Sequence, residues 1–281
     1  MTDEARLFPG KQFISTVLDA LETKTRMTGG LARVFVMRAV MAGAIIGIMY
    51  LTEFAVFAAF GESGLEGVGH LVGALFFGFA LVFIYYSKSE LLTSNMMIVS
   101  IGRYHRAISA FRGARVLVLC YLGNIIGGLV IALMVWGSTL ASGEIGIQMA
   151  GSVDTKLAYV AGGFAGCLDL FIRAMLCNFM INLGMLMIYN GMIKNEVMKA
   201  LAMISTVFVF AFVGFEHSVA NTVLFTIEAF QGGLDWGLAL GNLAIVLAGN
   251  LVGGGLLIGW YYAYANDSSR HLRKRATSIG A

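Results

Sequence analysis

Long apolar runs separated by short charged stretches fill this chain, and the runs exceed what the core of a soluble domain needs. About twenty consecutive apolar residues cross the hydrocarbon of a bilayer as a helix. The pattern predicts six such spans, over 34–60, 68–101, 116–140, 157–190, 200–230 and 237–265. Spans two and five are interrupted at depth. Ser87-Lys88-Ser89-Glu90 breaks the second, and the polar stretch 214–222, which holds Glu216, His217, Ser218 and Asn221, breaks the fifth. Ahead of the first span, residues 8–28 show Phe8, Phe13, Ile14, Val17, Leu18 and Leu21 at helical spacing, with Lys11, Asp19, Glu22 and Lys24 between them. That predicts a short amphipathic helix lying along the membrane face or packed on a neighbouring subunit. The expected organisation is an N-terminal helical segment (1–33), a six-span domain (34–265, with halves 34–140 and 157–265) and a basic tail (266–281).

Composition strengthens the membrane assignment. The chain is 58% hydrophobic and 12% charged, whereas soluble domains carry roughly 25% charged residues. Its single proline is Pro9, so breaks in the spans must come from Gly, Ser and Asn. Cys120, Cys167 and Cys177 fall inside apolar runs at no metal-ligand spacing, and no cofactor, metal or nucleic-acid partner is expected. Charges run through residues 1–33 before any apolar run begins, which is not the layout of a signal peptide. The loops sort by sign. One side collects the N-terminal bases, the 103–115 stretch, Lys194, Lys199 and the tail (Arg270, Arg273, Lys274, Arg275). The other collects Glu62, Glu66, Glu144, Asp154, Glu228 and Asp235, with Lys156 as its lone base. The positive-inside rule places both termini in the cytoplasm.

The two halves repeat. Glu90 and Glu216 are 126 residues apart (216 − 90), and so are Asn95 and Asn221 (221 − 95). The same offset superposes Gly123-Asn124-Ile125-Ile126-Gly127-Gly128 on Gly249-Asn250-Leu251-Val252-Gly253-Gly254. Arg38-Ala39 matches Arg173-Ala174 at an offset of 135 (173 − 38). Three spans per repeat is an odd number, so the halves are expected to cross in opposite directions, an inverted repeat that brings both breaks to mid-depth. Half-helix N-termini meeting there favour an anion.

Several polar side chains could serve such a site. His217 lies at depth beside Glu216 and is the one side chain whose ordinary pKa allows proton exchange near neutral pH. Thr93 offers a hydroxyl in the first break. Glu90 and Glu216 are expected to brace unwound backbone N–H groups rather than carry protons. Lys156 is either a tether that concentrates anions or a snorkelling helix-end lysine. Asp169 and Arg173, four apart, predict a buried ion pair. Lys88 needs a partner at its break, for which Glu90 is the nearest candidate. Phe76, Phe77, Phe79, Phe208, Phe210 and Phe212 read as core, with one or two members forming constrictions.

Gly214-Phe215-Glu216-His217-Ser218-Val219-Ala220-Asn221 closely resembles the signature of the formate/nitrite transporter family. Glu90-Leu91-Leu92-Thr93-Ser94-Asn95, Cys177-Asn178 and the two GN-x-x-GG blocks are similar to its other landmarks. The resemblance spans 33–265. It implies an aquaporin-like homopentamer in the cell inner membrane, with one pore per subunit for formate or, alternatively, nitrite, hydrosulfide or a small monocarboxylate such as lactate or acetate. By position it implies a central-pore histidine at His217, a facing threonine at Thr93, a neighbouring asparagine at Asn178 and a vestibule lysine at Lys156. Constrictions would fall at Phe77, Leu81, Leu92 and Phe210, with Glu216 and Asn221 flanking the pathway. Leu92 stands where the formate channel has an aromatic, and Lys88 where a small residue is usual. The expected mechanism is passage of a weak-acid anion, neutralised by a proton at or near His217. A neutral-solute channel would carry paired Asn-Pro-Ala motifs, and an intramembrane enzyme a nucleophile–base or metal set. The chain has neither pattern.

Overall fold

A computed structural model of the chain describes residues 6–272, so Arg273, Lys274 and Arg275 of the expected basic tail lie outside it. Every regular element among the described residues is helical. In chain order these are α1 (Lys11–Gly30), α2 (Ala32–Gly61), α3 (Glu66–Phe77), α4 (Phe79–Tyr86), α5 (Leu92–Tyr104), α6 (Ala110–Trp136), α7 (Glu144–Ala161), α8 (Gly163–Tyr189), α9 (Glu196–Val213), α10 (Ser218–Gln231) and α11 (Trp236–Ala265). The turns of α11 widen into a π-helix over Leu251–Trp260. Six stretches are long and apolar enough to cross a membrane: α2, the α3–α4 pair, α6, α8, α9 and α11. Each break splits a would-be span into two half-helices, α4 with α5 and α9 with α10.

Glycines set how closely the spans pack. A methyl at Gly127 of α6 would overlap the carbonyl of Val40 on α2, and one at Gly253 of α11 would overlap that of Met175 on α8. The two contacts are repeat-related on both sides, since Val40 and Met175 differ by the same 135 as Arg38 and Arg173. The GN-x-x-GG blocks are therefore helix-packing surfaces, where the missing side chain lets backbone meet backbone.

Three sequence expectations change. First, α1 does not lie free along a membrane face: Phe13, Ile14, Val17 and Leu21 are buried against its own chain. Second, the stretch read as a loop carrying Glu144, Asp154 and Lys156 is the helix α7. Its Met149, Val153, Lys156 and Leu157 share one buried face, and the charges between them misled the reading. Gly163, at φ 65°, separates α7 from α8, so span four starts there rather than at 157. Third, the second break is confined to 214–217, because residues from Ser218 onward are already helical.

Candidate functional site

The two breaks are built from the same bonds. Helix α9 ends with Gly214 in the left-handed region (φ 78°), and the Phe215 N–H returns to the Phe210 carbonyl at 2.9 Å. Helix α4 ends the same way: the Ser89 N–H returns to Ile84 at 3.0 Å, with Lys88 at φ 56°. Lys88 is thus the repeat counterpart of Gly214 (88 + 126), a side chain in a cap position that glycine fills without strain. It does not pair with Glu90 as expected. Its ammonium is exposed, 4.8 Å above the Tyr85 ring.

The unwound backbone is braced by asparagines, which corrects the role expected of the glutamates. Asn124 donates to the carbonyls of Ala39 (2.8 Å) and Glu90 (2.9 Å) and accepts from the Leu92 N–H (3.0 Å). Asn250 repeats this on Ala174 (2.8 Å), Glu216 (3.0 Å) and the Ser218 N–H (3.0 Å). The carboxylates are occupied elsewhere. Glu90 pairs with Lys24 of α1 and accepts from Asn95 at 3.1 Å. Glu216 takes two bonds from Lys156, at 3.0 and 2.9 Å, and one from Asn221 at 2.7 Å. The Asp169–Arg173 pair forms at 3.0 Å, but it is partly exposed rather than buried, and Arg173 also donates to the Gly214 carbonyl at 3.0 Å.

Two cavities flank the breaks. The larger, about 610 Å³, touches Tyr50, Glu53, Lys156, Arg173, Glu216 and His217. The smaller, about 240 Å³, touches Lys24, Arg38, Leu81, Lys88, Glu90 and Asn95. They lie at opposite ends of the same helices. On α2 Arg38 faces the small cavity and Tyr50 the large one, about 18 Å further along at 1.5 Å per residue. On α8 the order reverses, from Arg173 at the large cavity to Met185 and Tyr189 at the small. Each cavity therefore presents an arginine, a lysine–glutamate pair and an asparagine.

His217 sits between them, 3% exposed. Its Nδ1 accepts the Ala220 N–H at 3.1 Å and caps α10. An acceptor Nδ1 carries no proton, so the neutral ring holds its hydrogen on Nε2, which lies 3.3 Å from Thr93 Oγ1. Phe210 stacks on the imidazole, with centroids 6.0 Å apart and planes 20° off parallel, and Phe77 meets Phe210 edge-on at 6.0 Å. Phe77, Leu81, Leu92 and Phe210 are all buried, whereas Phe76 and Phe212 face outward. Asn178 does not bond the imidazole. Its amide donates to the Thr93 carbonyl (3.2 Å) and to the Asn250 carbonyl (2.7 Å), tying α5 to α11, and Asn182 adds a second bond to Thr93 at 3.2 Å. Sequence reasoning missed the bracing by Asn124 and Asn250, the second amide of Asn182 and the cavity carboxyl of Glu53. The GN pairs were a usable signal for the first; the other two had none.

The buried Lys156–Glu216 pair yields a stability prediction. Lys156→Met strands the Glu216 carboxylate and lowers stability by about 3–5 kcal/mol, while Lys156→Met with Glu216→Gln recovers most of the loss. Thermal unfolding in detergent reads this; equal Tm values for the single and double variants would contradict the pairing.

Comparison with known proteins then decides the family. The family model described as Formate/nitrite transporter matches residues 11–264. The chain belongs to the formate/nitrite transporter family. Among relatives, the formate channel FocA of Haemophilus influenzae is 31% identical over 221 residues, covering 70% of this chain and 75% of its own. A solved structure titled FNT family ion channel superposes with TM-score 0.79 at 27% identity, over 91% of this chain and 99% of its own. A second, titled pentameric formate channel with formate bound, has the same fold: TM-score 0.67 at 22% identity, over 83% of this chain and 96% of its own. Members of the formate/nitrite transporter family are transport proteins rather than enzymes, and this one is a multi-pass membrane protein.

Proposed function

We propose that the chain carries small monovalent weak-acid anions, formate first, across a cell inner membrane, with a proton exchanged at or near His217. The observation that carries this reading is the buried apolar septum of Phe77, Leu81, Leu92 and Phe210 between two polar cavities, where the Nε2 of His217 meets the Thr93 hydroxyl at 3.3 Å. A bare anion passing Phe77, Phe210, Leu81 and Leu92 would lose its hydration among apolar groups, whereas the neutral acid would not. The anion enters a cavity whose wall presents Lys156, Glu216 and Asn221, accepts the Nε2–H of His217 beside Thr93, and crosses once protonated. Asn178 keeps Thr93 in register with α11. Direction follows the proton and anion gradients.

The halves form an inverted repeat in this reading, supported by the opposite courses of α2 and α8 between the cavities. The excess of bases on one side supports cytoplasmic termini. A homopentamer is supported by the broad outward apolar surface, including Trp136 and Phe164, and by the pentameric assembly of the formate channel that shares the fold. Nitrite or hydrosulfide is the second reading, favoured by the family description, which names nitrite beside formate. Stopped-flow uptake into proteoliposomes, comparing formate, nitrite, hydrosulfide and lactate, tests it. Formate uptake that accelerates with an inward proton gradient is expected; no flux of any of the four above empty liposomes would overturn it.

A further inference from the structure

The proton of that scheme needs a source, and His217 is badly placed to be one. Its Nδ1 is occupied by the Ala220 N–H, so surrendering the Nε2 hydrogen would leave an imidazolate, and charging the ring first would cost the cap of α10. The larger cavity holds another candidate. Glu53 of α2 is 5% exposed and lines that cavity beside Phe54, and no hydrogen bond or ion pair reaches it among the described residues. Lys156 is the charged side chain that acts on it through space. That ammonium is committed twice to Glu216, and Arg173 in the same wall is committed to Asp169. Each cation of the wall already has its carboxylate, and Glu53 is the surplus. A lone carboxylate buried among Tyr50, Phe54 and Phe57 is disfavoured, while the uncharged acid is not. Glu53 is also no part of the shared scaffold, because its repeat counterpart is the apolar Ile188 (53 + 135).

We infer that Glu53 is the proton donor to the anion in the larger cavity. The inference rests on the transport reading above. The carboxylic O–H of Glu53 breaks, its proton bonds to the anion in the cavity, where the Nε2–H of His217 also meets it, and the neutral acid then moves on through the septum. Glu53 is left as a carboxylate, held near Lys156, until water at the cavity mouth returns a proton. The titratable and charged groups around it are Tyr50 on its own helix, His70 from α3, Lys156 and Tyr159 from α7, Arg173 from α8, and Glu216 and His217 from the second break. A charged Lys156 eases the carboxylate stage and a charged Glu216 opposes it, so their pairing leaves Glu53 free to cycle.

Glu53→Gln keeps the size and a hydrogen-bond donor but has no proton to give. In proteoliposomes of the full chain, formate uptake by this variant is expected to fall about tenfold at neutral pH with KM little changed, a conservative share of what a positioned acid supplies. The deficit shrinks as the outside is acidified, because bulk water then delivers the acid ready-made. Infrared spectra of the purified protein give a readout independent of transport. The wild type is expected to show the deuterium-sensitive carbonyl stretch of a buried carboxylic acid, absent in Glu53→Gln. Wild-type rates and pH profile in the variant, or no such band lost from its spectrum, would overturn the assignment. Should the wild type itself carry none of the anions, the transport reading fails while the infrared result still decides whether Glu53 holds a proton.

Discussion

Phenylalanine in place of His217 is expected to reduce the proposed proton-driven formate flux by about two orders of magnitude. The substitution keeps a flat, slightly larger ring to stack on Phe210, so the septum stays filled. It removes the buried Nε2–H that meets the anion in the proposed passage, a hydrogen bond to a charged partner worth about 1.5–3 kcal/mol. It also removes the Nδ1 acceptor of the Ala220 N–H, which costs about 1 kcal/mol of helix stability. His217→Asn separates the two losses, since asparagine caps a helix well but cannot place a donor at the same reach. The expected order of flux is wild type, then Asn, then Phe, with Phe near the empty-liposome background. Undiminished pH-dependent flux in His217→Phe would remove the imidazole from the mechanism.

The largest structural effect is expected from Asn250→Ala. That one amide serves the Ala174 carbonyl, the Glu216 carbonyl and the Ser218 N–H, all in the buried interior between α8, α10 and α11. Leaving the Glu216 carbonyl and the Ser218 N–H without partners costs about 1–3 kcal/mol each, and Ala174, which keeps its helical bond, loses a second one; the total for a typical fold is about 5–15 kcal/mol. Asn250→Ala is expected to yield little folded protein, seen as loss of a monodisperse peak in detergent. Asn124→Ala should behave the same way, because it serves the matching groups of the first break. A variant melting within a degree or two of wild type would show that the breaks are held by something else.

The division between what residues disclose and what they conceal follows physical lines. The spans were readable because a bilayer demands length and hydrophobicity, which a linear pattern displays directly. The duplication was readable because its marks are polar or small residues in apolar surroundings, such as Glu90 and Glu216. Helix α7 was not, since an amphipathic helix with Asp154 and Lys156 on it resembles a solvated loop until its buried face is seen. Lys88 misled for the opposite reason: its importance is a backbone angle, and the expected partner Glu90 already had one in Lys24, far away in sequence. Asn124 and Asn250 were noticed only as repeat marks, because a side-chain amide that holds distant carbonyls leaves no local trace. The facing pair of His217 and Thr93 came through the family resemblance, and the structure puts the two side chains in contact.

The cap that His217 places on α10 fixes more than a protonation state. A ring pinned by one nitrogen cannot swing about its Cβ–Cγ bond without unfastening the helix behind it, so it stands as a stationary post. In the proposed passage cargo would file past it, and no step would wait for the imidazole to turn over.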